Sequence, residues 1–271
     1  MKDLKIGIIG HGNMGGAILQ GMIRKNVASA SNIIVNDMCD SSMEEAAKSG
    51  CRVGDITSVV DASDYVIIAV KPQNFKDVLV ALNGNVNEKT IISIMAGVRI
   101  SVMEDVLGQE KQVAIARAMP NMAALIGESA TCVSFNSAVT RKKEVKEILS
   151  SIGIVTEIDE SALDAVTAIA GSGPAYFFYL ADSLITAAEK IGLDHIVARE
   201  LVDQTVYGAS LLMRNGVESG KGIEAKDLIR KVASKGGTTE AALAVFEKNG
   251  MADIISSAII QAKERSEELS G

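Results

Sequence analysis

The feature that most restricts the fold of this chain is an alternation of short apolar runs with segments of helical periodicity, which stops after Asp159. Such runs are typical of strands buried on both faces, and strands that alternate with helices predict a doubly wound parallel sheet. The predicted strands are residues 5–9, 32–35, 65–70, 90–94, 112–116, 131–135 and 154–158. The sequence therefore predicts an α/β domain with a doubly wound parallel sheet over residues 1–159.

Beyond Asp159, apolar residues recur only at helical spacing. The predicted helices are residues 163–170, 175–191, 196–213, 225–232, 240–248 and 251–268. Two stretches, 181–188 and 201–212, are apolar over wide arcs, and a helix that is apolar all round must be buried. We therefore expect an all-α domain over residues 160–271, which either forms a large intramolecular bundle or covers its helices in a dimer.

Three predicted helices have a serine followed three residues later by an acidic residue at their start. These pairs are Ser41 with Glu44, Ser101 with Glu104, and Ser161 with Asp164. At this spacing the two side chains can satisfy free N–H groups reciprocally, so the sequence predicts that these serines cap their helices.

Composition excludes several classes of protein. The formal net charge of −7 argues against a nucleic-acid binder, which would present a basic face. No apolar run approaches the roughly 20 residues of a membrane span, and no basic-then-apolar leader precedes the first strand. We therefore expect a cytoplasmic protein that contacts neither nucleic acid nor membrane. The three cysteines and two histidines lie far apart, which predicts neither a disulfide framework nor a metal site.

The segment GHGNMG, residues 10–15, directly follows the first predicted strand and begins a helix predicted over residues 14–25. In this context a GxGxxG motif is typical of a dinucleotide site, although an ordinary glycine-rich turn is the alternative. Gly10 permits the tight turn, Gly12 lets the backbone approach a pyrophosphate, and Gly15 lets the helix pack close to its strand. The free N–H groups and dipole at a helix N-terminus favour an anion there.

An acidic residue follows the second predicted strand. Asn36 and Asp37 occupy this place, about 22 residues beyond the motif, and no Arg or Lys occurs among residues 38–40. Such a carboxylate usually accepts hydrogen bonds from the ribose of NAD and disfavours the additional phosphate of NADP. This pattern favours NADH, unless Asp37 only caps the turn and points away.

The three prolines lie at the ends of predicted elements. The motifs are KP at 71–72, MPN at 119–121 and GSGPAY at 171–176. Because the carboxyl ends of parallel strands border the ligand crevice, we expect the first two turns to line one pocket with the phosphate loop. The alternative for each is a plain helix stop.

A second glycine pair occurs in SKGGTTE, residues 234–240, just before a predicted helix. Free N–H groups in a Gly-Gly turn form an anion nest that suits a carboxylate. Ser234, Thr238 and Thr239 add hydroxyl donors that do not titrate near neutrality. N-capping by Thr238 is the alternative, and it is compatible with binding.

Taken together, the motifs GxGxMG, AVKP at 69–72, MPN, GSGPAY and GGTT at 236–239 resemble those of pyrroline-5-carboxylate reductases, in order and along nearly the whole chain. The resemblance implies reduction of 1-pyrroline-5-carboxylate to L-proline by NADPH or NADH, the last step of proline biosynthesis. It also implies a Rossmann domain followed by a helical domain that forms an interlocked homodimer, with higher assemblies of dimers in many members.

The same resemblance assigns roles to individual residues. At the cofactor diphosphate it implies Ile9, Gly10, His11, Gly12, Asn13 and Met14. At the ribose and nicotinamide it implies Ala69, Val70, Lys71, Pro72, Ala96 and Gly97. Asn36 and Asp37, predicted from their place after the second strand, complete the cofactor residues. For the substrate it implies Ser234, Gly237, Thr238 and Thr239 at the carboxylate and ring nitrogen. We expect Thr239 to act in catalysis, by a hydrogen bond to the ring nitrogen and transfer of a proton.

The chain departs from the family pattern at three positions. Lys235 replaces the usual proline, His11 replaces a small residue, and Ile56 stands near the place of an asparagine. Lys235 implies a less rigid loop before the glycines, whereas Ile56, together with Asp37, leaves the preference between NADPH and NADH open.

Two rival functions share parts of this pattern. Dehydrogenases that resemble the 3-hydroxyacid or 6-phosphogluconate enzymes carry a catalytic lysine on the first long helix of the second domain, where this chain has only Lys190, at the far end. A dinucleotide sensor without catalysis would keep the phosphate loop but would not need the nest at residues 236–239. Both considerations favour the reductase.

Overall fold

The computed structural model describes residues 4–82, 86, 88–108, 113–218 and 223–270, with the side chains of 216–218 excepted. The chain divides into two compact units. The first unit combines Met1–Pro174 with Gln261–Gly271, and the second unit is Ala175–Ile260. The domain boundary between residues 159 and 160 stays a prediction.

Within the described residues the first unit contains one sheet of eight strands, in the order β3-β2-β1-β4-β5-β6-β7-β8. The strands are β1 Ile6–Ile9, β2 Ile33–Asn36, β3 Arg52–Val53, β4 Tyr65–Ile68, β5 Thr90–Ser93, β6 Ala114–Met119, β7 Ser129–Phe135 and β8 Gly153–Glu157. The helices between them are α1 Asn13–Arg24, α2 Asp40–Lys48, α3 Ile56–Asp61, α4 Phe75–Leu82, α5 Ile100–Leu107 and α6 Lys142–Ser150. The predicted α/β class is confirmed.

One pairing departs from the predicted parallel sheet, because β7 runs antiparallel to β6. The connection, residues 120–128, contains only the short 3-10 helix Met122–Ile126. A parallel crossover requires a dozen or more residues, so this connection can only return the chain in the opposite direction.

Apolar side chains cover both faces of the sheet. Ile6 and Ile8 of β1 belong to one buried cluster, whereas Ile9 belongs to the other. Neighbouring strands divide in the same way, with Val35 in the first cluster and Ile34 in the second. Burial on both faces explains why these strands contain apolar runs without polar alternation.

The expectation that serines cap three helices was wrong. Cys39 is the N-cap residue of α2, Arg99 that of α5, and Ala162 that of α7, Leu163–Val166. At α5 the Ile100 N–H donates to Glu160 Oε1 at 2.8 Å, so a distant carboxylate satisfies the group. At the start of α5, a tertiary partner therefore replaces the local pair.

The remaining described residues are mainly helical, as predicted. A π-helical segment, Thr167–Gly171, follows α7, and the later helices are α8 Gly173–Lys190, α9 His195–Glu218, α10 Ala225–Val232, α11 Thr238–Lys248 and α12 Met251–Ser270. Among the described side chains of the second unit, only Ala198 is buried, whereas Tyr179 is 77% exposed. An intramolecular bundle would bury its apolar faces, so that alternative is wrong. None of the helices in the described residues has the length and hydropathy of a membrane span.

Candidate active site

The strands that carry the predicted cofactor residues end in one row. Ile9 pairs in register with Asn36 of β2 and with Ile68 of β4, and Ile68 pairs with Ser93 of β5. The chain proceeds from β1 to one side through β2 and β3, and returns on the other side at β4. This reversal is a topological switch point, where open α/β sheets bind ligands.

The three glycines of the phosphate loop occupy positions that demand glycine for different reasons. Gly10 has φ +98°, and a Cβ there would lie 2.7 Å from the carbonyl oxygen of Ala69. A Cβ at Gly15 would overlap the carbonyl oxygen of Gly10. At Gly12, by contrast, a Cβ would meet no described atom within 4 Å. The loop is thus tightly packed underneath and open above Gly12, as a bound diphosphate requires.

Backbone hydrogen bonds hold this loop to the neighbouring strand ends. The Gly10 N–H donates to the Asn36 carbonyl oxygen, and the Ala69 N–H donates to that of Ile9, both at 2.8 Å. Helix α1 begins at Asn13, and its N-cap residue Gly12 has no side chain with which to cap it. The first N–H groups of α1 can therefore serve an anion.

Asp37 faces the phosphate loop. Its Oδ2 accepts the His11 N–H at 2.6 Å, and its Oδ1 accepts the Cys39 N–H at 2.8 Å. The carboxylate is partly exposed, and each oxygen keeps a lone pair for a further donor such as a ribose hydroxyl. The Asn36 amide instead donates to the Gly54 carbonyl oxygen at 2.8 Å, so it supports the edge of the sheet.

The His11 ring lies inside the protein, with 6% of the residue exposed. Within the described residues, both ring nitrogens are buried without a hydrogen-bond partner. The ring lies beside α1, where a Cβ at Gly16 would be 3.6 Å from Nε2. A Cβ at that distance would make an ordinary van der Waals contact, so the ring packs against α1 without requiring glycine at position 16.

Two further predicted cofactor segments follow β4 and β5. Residues 69–71 lead from β4 to Pro72, the first residue of the 3-10 helix Pro72–Asn74. Gly97 lies beyond β5 with φ +76°, next to the exposed Ala96. Both segments leave the same edge of the sheet as the phosphate loop, which places all predicted cofactor residues along one edge.

A cavity of about 280 Å³ in the first unit brings three motifs together. Its lining residues are Asn13, Met14, Pro120, Asn121, Met122, Leu125 and Gly171. The Asn121 amide donates to the Ala170 carbonyl oxygen at 3.0 Å, which joins the MPN turn to the π-helical segment. Lys71 and Pro72 do not line this cavity. π-Helical turns occur frequently at functional sites.

The residues predicted to bind the substrate share one loop of the second unit. Gly236 has φ +75°, and Gly237 is the N-cap residue of α11. Thr238 is thus the first helical residue, and the alternative that its hydroxyl caps the helix was wrong. Thr239 lines an apolar cavity of about 410 Å³ with residues such as Leu212 and Leu243.

Sequence reasoning missed one participant in this loop. The Gly236 N–H donates to Glu240 Oε2, so a carboxylate of the chain already occupies part of the expected nest. An acidic residue in the first turn of a helix, directly after a glycine pair, was the available signal. The hydroxyls of Ser234 and Thr238 lie on exposed residues of the same loop.

Cysteine reactivity differs among the three thiols. Hydrogen bonds from Ser41 and then Ser42 lower the pKa of the exposed Cys39 thiol, near the ribose side of the predicted site. Burial raises the pKa values of Cys51 and Cys132. Among the residues that the structure describes, no group of three or more His, Cys, Asp or Glu side chains could hold a metal ion.

Comparison with known proteins covers the length of the chain. Residues 160–269 match the family model for pyrroline-5-carboxylate reductase dimerisation, and residues 5–97 match that for the coenzyme F420-dependent NADP oxidoreductase. The pyrroline-5-carboxylate reductase of Methanosarcina acetivorans is 38% identical over 99% of both chains, and that of Pseudomonas aeruginosa is 35% identical over 99% and 98%.

Solved structures of pyrroline-5-carboxylate reductases are also similar to this chain. A pyrroline-5-carboxylate reductase of Coxiella burnetii superposes with a TM-score of 0.91 at 31% identity over 100% of both chains. The Plasmodium falciparum pyrroline carboxylate reductase with NADP bound has a TM-score of 0.86 at 29% identity, also over 100% of both.

Proposed function

Since the chain belongs to the pyrroline-5-carboxylate reductase family, we infer that it reduces 1-pyrroline-5-carboxylate to L-proline with NADPH or NADH, in the last step of proline biosynthesis. It is an oxidoreductase that acts on a C=N bond. The observation that carries the residue assignments is the phosphate loop at the topological switch point, closed beneath Gly10 and Gly15 and open above Gly12.

The residues present fit a dinucleotide. The N–H groups at the start of α1 would hold the diphosphate, Asp37 the adenosine ribose, and residues 69–72 with 96–97 the nicotinamide side. When bound, NAD(P)H supplies the hydride that the imine carbon accepts. The protein's part is alignment and exclusion of water, because a misplacement of about 1 Å costs roughly 100-fold in rate.

For the substrate, we propose that the loop of residues 234–239 binds the carboxylate. Its donors are the hydroxyls of Ser234 and Thr238 and the N–H groups at the start of α11, which are not used within the first helical turn. Glu240 already accepts the Gly236 N–H, and its negative charge opposes that of the substrate. Glu240 therefore limits affinity for the acid.

Thr239 is the proposed catalytic residue. A cyclic imine accepts hydride when its nitrogen is protonated, and an iminium that binds directly requires no strong acid from the protein. The Thr239 hydroxyl can accept a hydrogen bond from that nitrogen or pass it a proton. This role needs neither histidine, in agreement with the burial of His11 beside α1.

Substitution at Thr239 tests this assignment. We expect Thr239→Val, which keeps the volume and loses the hydroxyl, to lower kcat/KM for pyrroline-5-carboxylate at least tenfold, or about 1.4 kcal/mol. Thr239→Ser retains the hydroxyl and should remain within about threefold of wild type. The assay follows loss of NAD(P)H absorbance on addition of the imine. Unchanged kinetics of Thr239→Val would remove Thr239 from the mechanism.

A homodimer is supported by the dimerisation model that spans the helical part of the chain. The exposed apolar side chains of the second unit agree with such an interface. We further propose that these dimers assemble into larger particles, which light scattering can test. We also propose a cytoplasmic location, which cell fractionation can test.

A further inference from the structure

The loop between β5 and α5, residues 94–99, has weak hydrogen bonds of its own. The Val98 N–H donates to the Met95 carbonyl oxygen at 3.5 Å, and the Met95 N–H donates to Ser93 Oγ at 3.3 Å. Both distances are longer than the roughly 2.7–3.2 Å that is usual for N–H···O hydrogen bonds. This loop contains Gly97, which the proposed function places at the nicotinamide side, so its shape must be held from outside.

The carboxyl end of α12 provides one such support. A Cβ on Gly97 would lie 2.9 Å from the carbonyl oxygen of Leu269 and 3.2 Å from its carbonyl carbon. The backbone of α12 therefore lies directly against the Gly97 Cα. The last residues of this helix, from Gln261 onward, belong to the first unit, although the helix begins in the second.

A buried carboxylate pins this helix end. Ser266 Oγ donates to Asp164 Oδ1 at 2.7 Å, and Ser270 Oγ lies 3.1 Å from the same oxygen. The Ser270 hydroxyl also lies 2.9 Å from the Ser266 carbonyl oxygen, so it shares its proton between two acceptors. All three residues are more than 90% buried. A buried carboxylate without donors is costly, which makes this arrangement specific for the two serines.

The other end of the loop is also fixed by the chain beyond β8. Glu160 Oε1 accepts the Ile100 N–H at 2.8 Å and the buried Arg117 guanidinium at 3.0 Å. The loop is thus held between Glu160 at its end and Leu269 at its centre. Fixing both places leaves Gly97 little freedom to move relative to the strand ends.

We propose that Asp164, Ser266 and Ser270 are positioning residues for the cofactor: they hold the end of α12 against Gly97 and so set the nicotinamide side of the cofactor site. This inference rests on the proposed function for the role of Gly97. These three residues contact no predicted ligand, and we expect them to affect cofactor affinity through the position of α12.

The experiment compares Ser266→Ala/Ser270→Ala with Glu268→Ala, a change on the exposed side of the same helix end, where Glu268 pairs with Arg265. Titration by NADH and NADPH fluorescence should give a dissociation constant raised at least fivefold in the double variant and unchanged in the control. The KM for the imine should change less than about twofold, and hydrogen exchange of amides 95–98 should become faster.

A double variant with a lower Tm but unchanged cofactor affinity and unchanged exchange at residues 95–98 overturns the proposal, because the cluster would then be only structural. If the double variant does not fold, Ser270→Ala alone removes the outermost hydroxyl and the same readouts decide. Failure of the proposed function has a different signature, since wild type would then bind NAD(P)H but leave pyrroline-5-carboxylate unreduced.

Discussion

Replacement of Asp37 by asparagine should shift the enzyme from NADH towards NADPH. The carboxylate accepts the His11 and Cys39 N–H groups, which fixes its negative charge beside the phosphate loop. The additional phosphate of NADPH carries a charge of about −1.5 to −2. If it lies about 5.5 Å away in an effective dielectric of about 40, the repulsion is roughly 2.5 kcal/mol. Relief of this repulsion corresponds to about 50- to 100-fold in kcat/KM for NADPH.

The same substitution should weaken NADH. The hydrogen bond from a ribose hydroxyl to the Asp37 carboxylate should stabilise bound NADH by about 1.5 kcal/mol. Without this bond, we expect kcat/KM for NADH to fall about tenfold. The amide that Asp37→Asn introduces would also have one acceptor oxygen for two backbone N–H groups. That loss affects both cofactors equally and cancels in their ratio.

The assay is the ratio of kcat/KM for NADPH to that for NADH, measured at low ionic strength and again at 0.15 M salt, a Debye length of about 8 Å. The change in the ratio should shrink with salt. Asp40→Asn is the matched control, since it removes the same charge from the exposed start of α2. A ratio that changes less than about threefold, or equally in both variants, would show that Asp37 does not repel the additional phosphate.

Three further predictions concern the loops. Gly12→Ala should leave Tm unchanged but raise the Kd for NAD(P)H at least tenfold, because its Cβ would enter only the space in which we propose that the diphosphate binds. Gly15→Ala should lower Tm as well, because its Cβ would overlap the loop backbone. Cys39 should react with iodoacetamide at lower pH than the other two thiols, because its pKa is lowered and theirs are raised, with NADH slowing only the Cys39 reaction. Glu240→Gln should lower the KM for the imine about threefold, because a like charge leaves the substrate loop.

Each of these has a clear contrary result. Equal Tm values for the two glycine variants would show that the helix need not approach its strand so closely. Mass spectrometry that finds simultaneous alkylation of all three thiols would contradict the pKa order. A KM for the imine that rises in Glu240→Gln would show that this carboxylate supports the loop more than it repels the substrate.

The sheet could be predicted because its central strands are buried on both faces. The sequence of a strand such as β4 is therefore a continuous apolar run, and the strands beside it come from other apolar runs. The two-residue strand β3 has no periodicity to detect. The antiparallel direction of β7 depended on the length of one connection, which a search for parallel α/β units does not weigh.

The site was predictable where backbone geometry dictates the residue type. Steric contacts at positions 10 and 15 allow only glycine, so the sequence itself shows where Gly10 and Gly15 must lie. Glu160, by contrast, caps a helix that begins 60 residues earlier, and Asp164 pairs with serines more than 100 residues later. No local pattern indicates such partners. The roles of individual ligand-binding residues stay predictions.

Among the described side chains of the second unit, interior residues are nearly absent, and this has a thermodynamic consequence. Helices that leave side chains such as Phe178 largely uncovered gain little hydrophobic free energy from their own fold. Their stability must then come from association, which follows mass action. The midpoint of thermal unfolding should therefore rise with protein concentration, and dilution alone should release protomers whose helical half is no longer stable.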